Sequence, residues 1–131
     1  RQQIQEIIAM GHSIGSHSHS HVSVASANLS DSEIKKEVIN PKLFLEKRFK
    51  VKVKAFSYPF GEPADCLAAR DLIGMTKAYD LAFTIEQKAN TPVTSPLELG
   101  RYMPTSRDST EDICQKLLQM EQFKEEIFIC F

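Results

Sequence analysis

Val51-Lys52-Val53-Lys54-Ala55-Phe56-Ser57-Tyr58-Pro59-Phe60-Gly61 sets Val51, Val53 and Ala55 against Lys52 and Lys54, then turns apolar. That period of two predicts a strand over 51–58 running inward from solvent, stopped by Pro59 and Gly61. Upstream, Ser30-Asp31-Ser32-Glu33 has the form of a capping box, with Ile34, Val38, Leu45 and Phe49 following at helical spacing. Pro41 lies inside that pattern; its ring removes one backbone donor and clashes with the preceding turn, so a kink or break is expected near Asn40. Downstream, a helix is expected from Ala64 to Lys77 with Ala68, Leu72 and Met75 on one face, then a strand from Tyr79 to Ile85. Helix, strand, helix, strand in this order reads as an α/β protein with parallel strands.

The flanks extend the same alternation. Gln2 to Met10 carries Ile4, Ile7 and Ile8 on one helical face, and Gly11 stands where a helix commonly ends. Gln87 to Pro96 is a polar loop, and Leu97 to Met103 is a short third strand. Asp108, with Glu111 three residues on, is read as the cap of a helix whose buried face holds Ile113, Leu117 and Met120. Ile127-Phe128-Ile129-Cys130-Phe131 is a wholly apolar run suited to the centre of a sheet. About five strand candidates are too few for a closed eightfold barrel, which takes about 250 residues. The chain is therefore one domain, either an open sheet or part of a barrel.

Composition narrows the function classes. Sixteen basic and 17 acidic residues leave a net charge of −1, which gives no long-range attraction for nucleic acid. No window approaches 18 consecutive apolar residues, so no transmembrane segment is expected. The chain starts at Arg1 with no signal-like segment, which says nothing about export. Cys66, Cys114 and Cys130 form no C-x-x-C pair and are read as buried thiols acting as small hydrophobes.

All four histidines, His12, His17, His19 and His21, fall within ten residues. His17 and His21 are spaced i, i+4, which on a helical turn puts both imidazoles on one face, where they can chelate one divalent ion. The interleaved serines suit a solvated polar turn equally well, and spacing alone leaves both readings open.

The wider pattern resembles the polysaccharide deacetylases (carbohydrate esterase family four). Gly11-His12-Ser13-Ile14-Gly15-Ser16-His17-Ser18-His19-Ser20-His21 is similar to the family's second motif, and Phe56-Ser57-Tyr58-Pro59-Phe60-Gly61 to its third motif in the FxYPxG form. Tyr79-Asp80-Leu81-Ala82-Phe83-Thr84 and Leu99-Gly100-Arg101-Tyr102 resemble the two strands that follow. The resemblance implies a partial, distorted (β/α) barrel spanning 1–131 and apparently truncated at both ends. It implies His17 and His21 as ligands of a divalent metal ion, Zn²⁺ first among candidates, and the Phe60 amide as an oxyanion donor. His12 matches a structural position and His19 a variable one. Many members carry an arginine where Ser57 stands; Arg101 is read either as its electrostatic substitute or as half of a surface ion pair.

Two family motifs have no counterpart here. There is no Asp-Asp pair to supply a third ligand and a base, no histidine after His21 to act as general acid, and no Trp. The activity implied is metal-dependent hydrolysis of N-acetyl groups on the amino sugars of a glycan, with this chain alone inactive. The alternative is a catalytically inactive deacetylase-like domain that binds carbohydrate or a protein partner, and a metal-storage segment ranks below both. The resemblance suggests an extracellular, periplasmic or envelope location without excluding the cytoplasm. Oligomeric state is left open.

Overall fold

A computed structural model describes the backbone of residues 1–121 and side chains through residue 118. The elements are α1 (Gln2–Ala9), α2 (Asp31–Phe49), β1 (Ala55–Ser57), α3 (Pro63–Thr76), β2 (Leu81–Phe83) and α4 (Thr110–Glu121). The apolar run Ile127–Phe131, the side chain of Met120 and Cys130 lie outside the described residues.

Four parallel rows stand side by side in sequence order. β1 pairs with β2 in the register Ala55↔Leu81, Phe56↔Ala82 and Ser57↔Phe83. Single parallel bridges add Ser16 beside Phe56 on one side and Leu99 beside Phe83 on the other. α2 connects the first row to β1 and α3 connects β1 to β2, and the two helices pack on each other. Consecutive strands as neighbours, with no reversal of order, give a singly wound parallel sheet. All four rows point the same way, so the segments leaving their C-terminal ends collect at one edge.

The core lies between these helices and the sheet. Ile34 and Val38 of α2, Cys66, Ala69 and Ile73 of α3, and Val53, Phe56, Tyr58 and Ala82 are all buried. Phe56 sits edge-on to Tyr58 at 5.4 Å and tilted against Tyr79 at 5.1 Å. The buried phenols find acceptors, Tyr79 Oη donating to Val38 O (2.6 Å) and Tyr58 Oη to Leu97 O (2.8 Å). Burial pushes the Cys66 thiol up to about 12, so it behaves as an inert hydrophobe as expected, whereas Cys114 is exposed.

Several expectations are corrected. The break expected near Asn40 does not occur, since α2 runs as one helix through Pro41. The proline withdraws only the hydrogen bond to the Glu37 carbonyl, while Ile34 and Val38 before it and Leu45 after it anchor both halves to the core. The strand expected over 51–58 shrinks to three residues, because α2 intercepts the backbone ahead of it. Glu46 Oε1 accepts from Val53 N (3.0 Å), and Lys42 Nζ donates to Val53 O. The buried face of α3 is Cys66, Ala69 and Ile73, while Met75 is 78% exposed. The third strand reduces to Leu99, because the next residues turn onto the 86–90 loop: Asn90 brackets the Gly100 backbone at 2.8 and 2.9 Å, and Arg101 N donates to Glu86 O. A Cβ at Gly100 would collide with Lys88 Cγ and lie 2.8 Å from Glu86 O, so only glycine fits there. α4 is capped by Ser109 with Asp112 rather than by Asp108, which closes the preceding Thr105 turn and pairs with Lys116. On its face Ile113 and Leu117 are half-buried. No helix among the described residues is long and apolar enough to cross a membrane.

Two measurements check this packing. Ile73→Ala should cost about 2–5 kcal/mol in denaturant unfolding, and Met75→Ala less than about 0.5 kcal/mol; the reverse order would restore the other helix face. The Glu46 carboxyl is held below its ordinary 4.5 by the hydrogen bond from Lys42 and then by that from Val53 N. Its contribution is therefore complete above that value and lost as pH falls through the lowered folded value. The melting-temperature gap between wild type and Glu46→Gln should close on acidification, and a constant gap would refute the linkage.

Candidate active site

The histidine segment enters the sheet through one residue. Ser16 N donates to Ala55 O and Ser57 N to Ser16 O, both at 2.9 Å, which fixes the backbone of His17 beside the end of β1. His17 Nδ1 then lies 2.8 Å from Ser57 O. A carbonyl only accepts, so Nδ1 carries the hydrogen, and in the neutral ring Nε2 keeps its lone pair.

The chain next reverses, without forming a helix. Ser18 and His21 hold positive φ (62° and 57°), and His21 N donates to Ser18 Oγ at 2.9 Å. This turn, not a helical face, brings the two rings together, with centroids 4.8 Å apart in an edge-to-face arrangement. Both imidazoles are exposed, as are His12 and His19. Among the described residues no group of three His, Cys, Asp or Glu side chains comes together.

Phe60 completes the cluster from the next row. It follows β1 with φ 59°, and Gly61 after it takes φ 70° with Ile85 N and Cγ2 only 2.8 Å from where a Cβ would stand. The tight turn presents the Phe60 ring to His21, with centroids 5.1 Å apart. The ring is 50% exposed. Its amide donates to no acceptor among the described residues, which leaves the N–H available beside the imidazole pair.

Arg101 is placed apart. It follows the Leu99 row, so β1 and β2 lie between it and His17. It is half-buried, burial lowers its guanidinium pKa, and its Nε has no hydrogen-bond partner among the described residues. Among the described residues Arg101 forms no surface ion pair either.

One residue goes unnoticed in the motif reading. Glu37, buried on α2, accepts from His19 N (3.1 Å), Ser20 N (2.8 Å) and Ser20 Oγ (2.7 Å). Burial pushes its carboxyl up, but the hydrogen bonds from Ser20 and His19 outweigh that and hold it below the usual range. The clue is its place at i+3 from Ile34 and beside Val38, an acid on the buried face. A groove of about 500 Å³ opens between His17, His19 and the Pro41–Phe44 part of α2.

Phe60→Ala should cost less than about 1 kcal/mol, because a half-exposed ring forfeits little burial. It should also shift the His21 imidazole resonances, since the aromatic neighbour is lost. A loss of about 3–5 kcal/mol, the range for a core phenylalanine, would mean that the ring belongs to the core.

The comparisons with known proteins bear on the family and the fold. The family model described as polysaccharide deacetylase matches residues 1–78. No curated protein matches the chain in sequence. Among solved structures, the Streptococcus pyogenes deacetylase PplD in complex with acetate superposes with a TM-score of 0.70 at 22% identity, covering 88% of this chain and 49% of its own. IcaB from Ammonifex degensii gives 0.67 at 25% identity, covering 88% and 51%. A polysaccharide deacetylase from Bacillus cereus gives 0.70 at 20% identity, covering 88% and 35%. The chain thus spans about half the length of the first two and about a third of the last. It has their α/β fold over that span, and the match extends over well more than half of its residues: the chain belongs to the polysaccharide deacetylase family.

Proposed function

We propose that the protein removes N-acetyl groups from the amino sugars of a polysaccharide or glycan, with a divalent ion, Zn²⁺ first, held in part by His17 and His21. In this reading the four parallel rows are one arc of a distorted (β/α) barrel whose C-terminal edge carries the site. The observation that carries the proposal is the imidazole pair itself. Two exposed rings stand 4.8 Å apart, and His17 is fixed by Ser57 O in the tautomer that leaves Nε2 free. That donor set fits a borderline divalent ion.

When bound, such an ion supplies Lewis acidity to the acetyl carbonyl and to water. The chain's own groups do the rest that this edge allows. The Phe60 N–H, without another acceptor among the described residues, is aligned by the Pro59–Gly61 turn to donate to a developing oxyanion. The groove beside His17 offers the exposed Phe44 ring as a wall for a sugar face. Arg101, whose buried Nε has no partner among the described residues, would serve as an electrostatic partner for a carboxylate. No Asp or Glu joins the imidazole pair among the described residues, so this chain alone is proposed to be inactive.

The protein carrying this chain should release acetate from N-acetylglucosamine oligomers, lose that activity on chelation and regain it with Zn²⁺ or Co²⁺. His17→Ala and His21→Ala should each abolish metal binding and turnover, with His19→Ala close to wild type. Equal losses from all three would mean an unstructured histidine tract. Glycan binding without acetate release would turn the reading to a non-catalytic binding domain.

A further inference from the structure

The geometry points to Glu37 as a positioning residue for the imidazole pair, an inference that rests on the metal-binding reading proposed above. The turn from His17 to His21 makes no backbone–backbone hydrogen bond of its own among the described residues. It is held by five hydrogen bonds involving side chains, and three of them end on the Glu37 carboxylate. Oε2 collects the consecutive amides of His19 and Ser20, and Oε1 takes the Ser20 hydroxyl. These residues are the middle of the stretch whose two ends are His17 and His21, so the carboxylate sets the width and direction of the reversal that brings the rings together.

The chemistry of the clamp is specific. Glu37 is 8% exposed and pairs with no Lys or Arg among the described residues, so the three donors of the turn are what offset its buried charge. In return the carboxylate satisfies two amides that a tight turn with Ser18 in the left-handed region leaves without backbone partners. The two needs meet only in one arrangement of the turn. Because α2 is anchored in the core through Ile34 and Val38 on either side of Glu37, that arrangement is referenced to the core rather than to the loop.

The test uses Co²⁺ alone as the probe, followed by its d–d absorption, together with amide hydrogen exchange of His19 and Ser20 without metal. Glu37→Gln keeps the side-chain size but removes the charge and one acceptor. It should speed exchange of both amides and weaken Co²⁺ binding by about 10–100-fold, the range for groups that orient metal ligands. Ser20→Ala, which removes one of the three bonds and leaves α2 intact, should give a smaller loss of the same kind. Glu33→Gln, in the capping box of the same helix, should lower the melting temperature and leave Co²⁺ affinity unchanged. Wild-type Co²⁺ affinity in Glu37→Gln, or equal weakening by Glu33→Gln, would overturn the positioning role. If the wild-type protein itself binds no Co²⁺, the metal reading fails and the positioning inference falls with it. Amide exchange then reports separately whether the Glu37 clamp exists.

Discussion

The candidate site depends on one parallel bridge. Ser16 N to Ala55 O and Ser57 N to Ser16 O tie the histidine segment to β1, 40 residues away in sequence, and the Ser57 carbonyl then accepts the His17 ring. The same strand end thus sets both the position of the His17 backbone and the tautomer of its imidazole. Two residues further on, the chain turns and presents Phe60 to His21. Sheet pairing, ring orientation and amide direction are therefore one geometric constraint, and displacing β1 would disturb all three.

β1 is in turn held by the core beneath it. It is only three residues long, and a short parallel strand with two neighbours has few ladder bonds of its own. Its placement comes from Val53, Phe56 and Tyr58, which are buried against α2 and α3, and from α2 side chains that take up the backbone of Val53. Tyr79, reaching Val38 O from beside β2, closes the same layer. The hydrophobic layer fixes the strands, and the strand ends fix the polar groups, which is how parallel α/β folds commonly carry their sites.

The elements with strong local signals were legible in the sequence. The capping box of α2 marks a real boundary, α3 starts one residue before the expected Ala64, and the strand ending at Pro59 and that after Tyr79 are where the alternation puts them. The expectations that failed did so through tertiary contacts. The reach of β1 was cut by Glu46 and Lys42, the third strand by Asn90 and Gly100, and the α3 face by packing that favours Ile73 over Met75. At the site, the spacing of His17 and His21 left a chelating pair and a polar turn equally open. The rings meet through a turn with positive φ at Ser18 and His21 rather than on the helical face the spacing argument assumed. Glu37 was the least legible residue. An acid within an amphipathic helix looks like a solvated position until the turn it binds is known.

Backbone strain separates this histidine cluster from a simple polar tract. Among the described residues six non-glycine positions hold positive φ: Ser18, His21, Asn28, Lys50, Phe60 and Lys77. Lys50 and Lys77 end α2 and α3, where the left-handed conformation is routine, and asparagine tolerates it in a turn. The remaining three are Ser18, His21 and Phe60, all in the two turns that face each other across the site. Each such residue costs about 1–2 kcal/mol, so these turns would relax if they were free. What holds them comes from elsewhere in the chain: the Glu37 carboxylate, the Ser57 carbonyl, and Ile85 N donating to Gly61 O. A flexible His-Ser run samples many ring separations and has no reason to spend binding groups of α2 and β1 on one of them. Here α2, β1 and the segment after β2 converge on the two turns, which leave the imidazoles exposed and the Phe60 amide without an acceptor among the described residues.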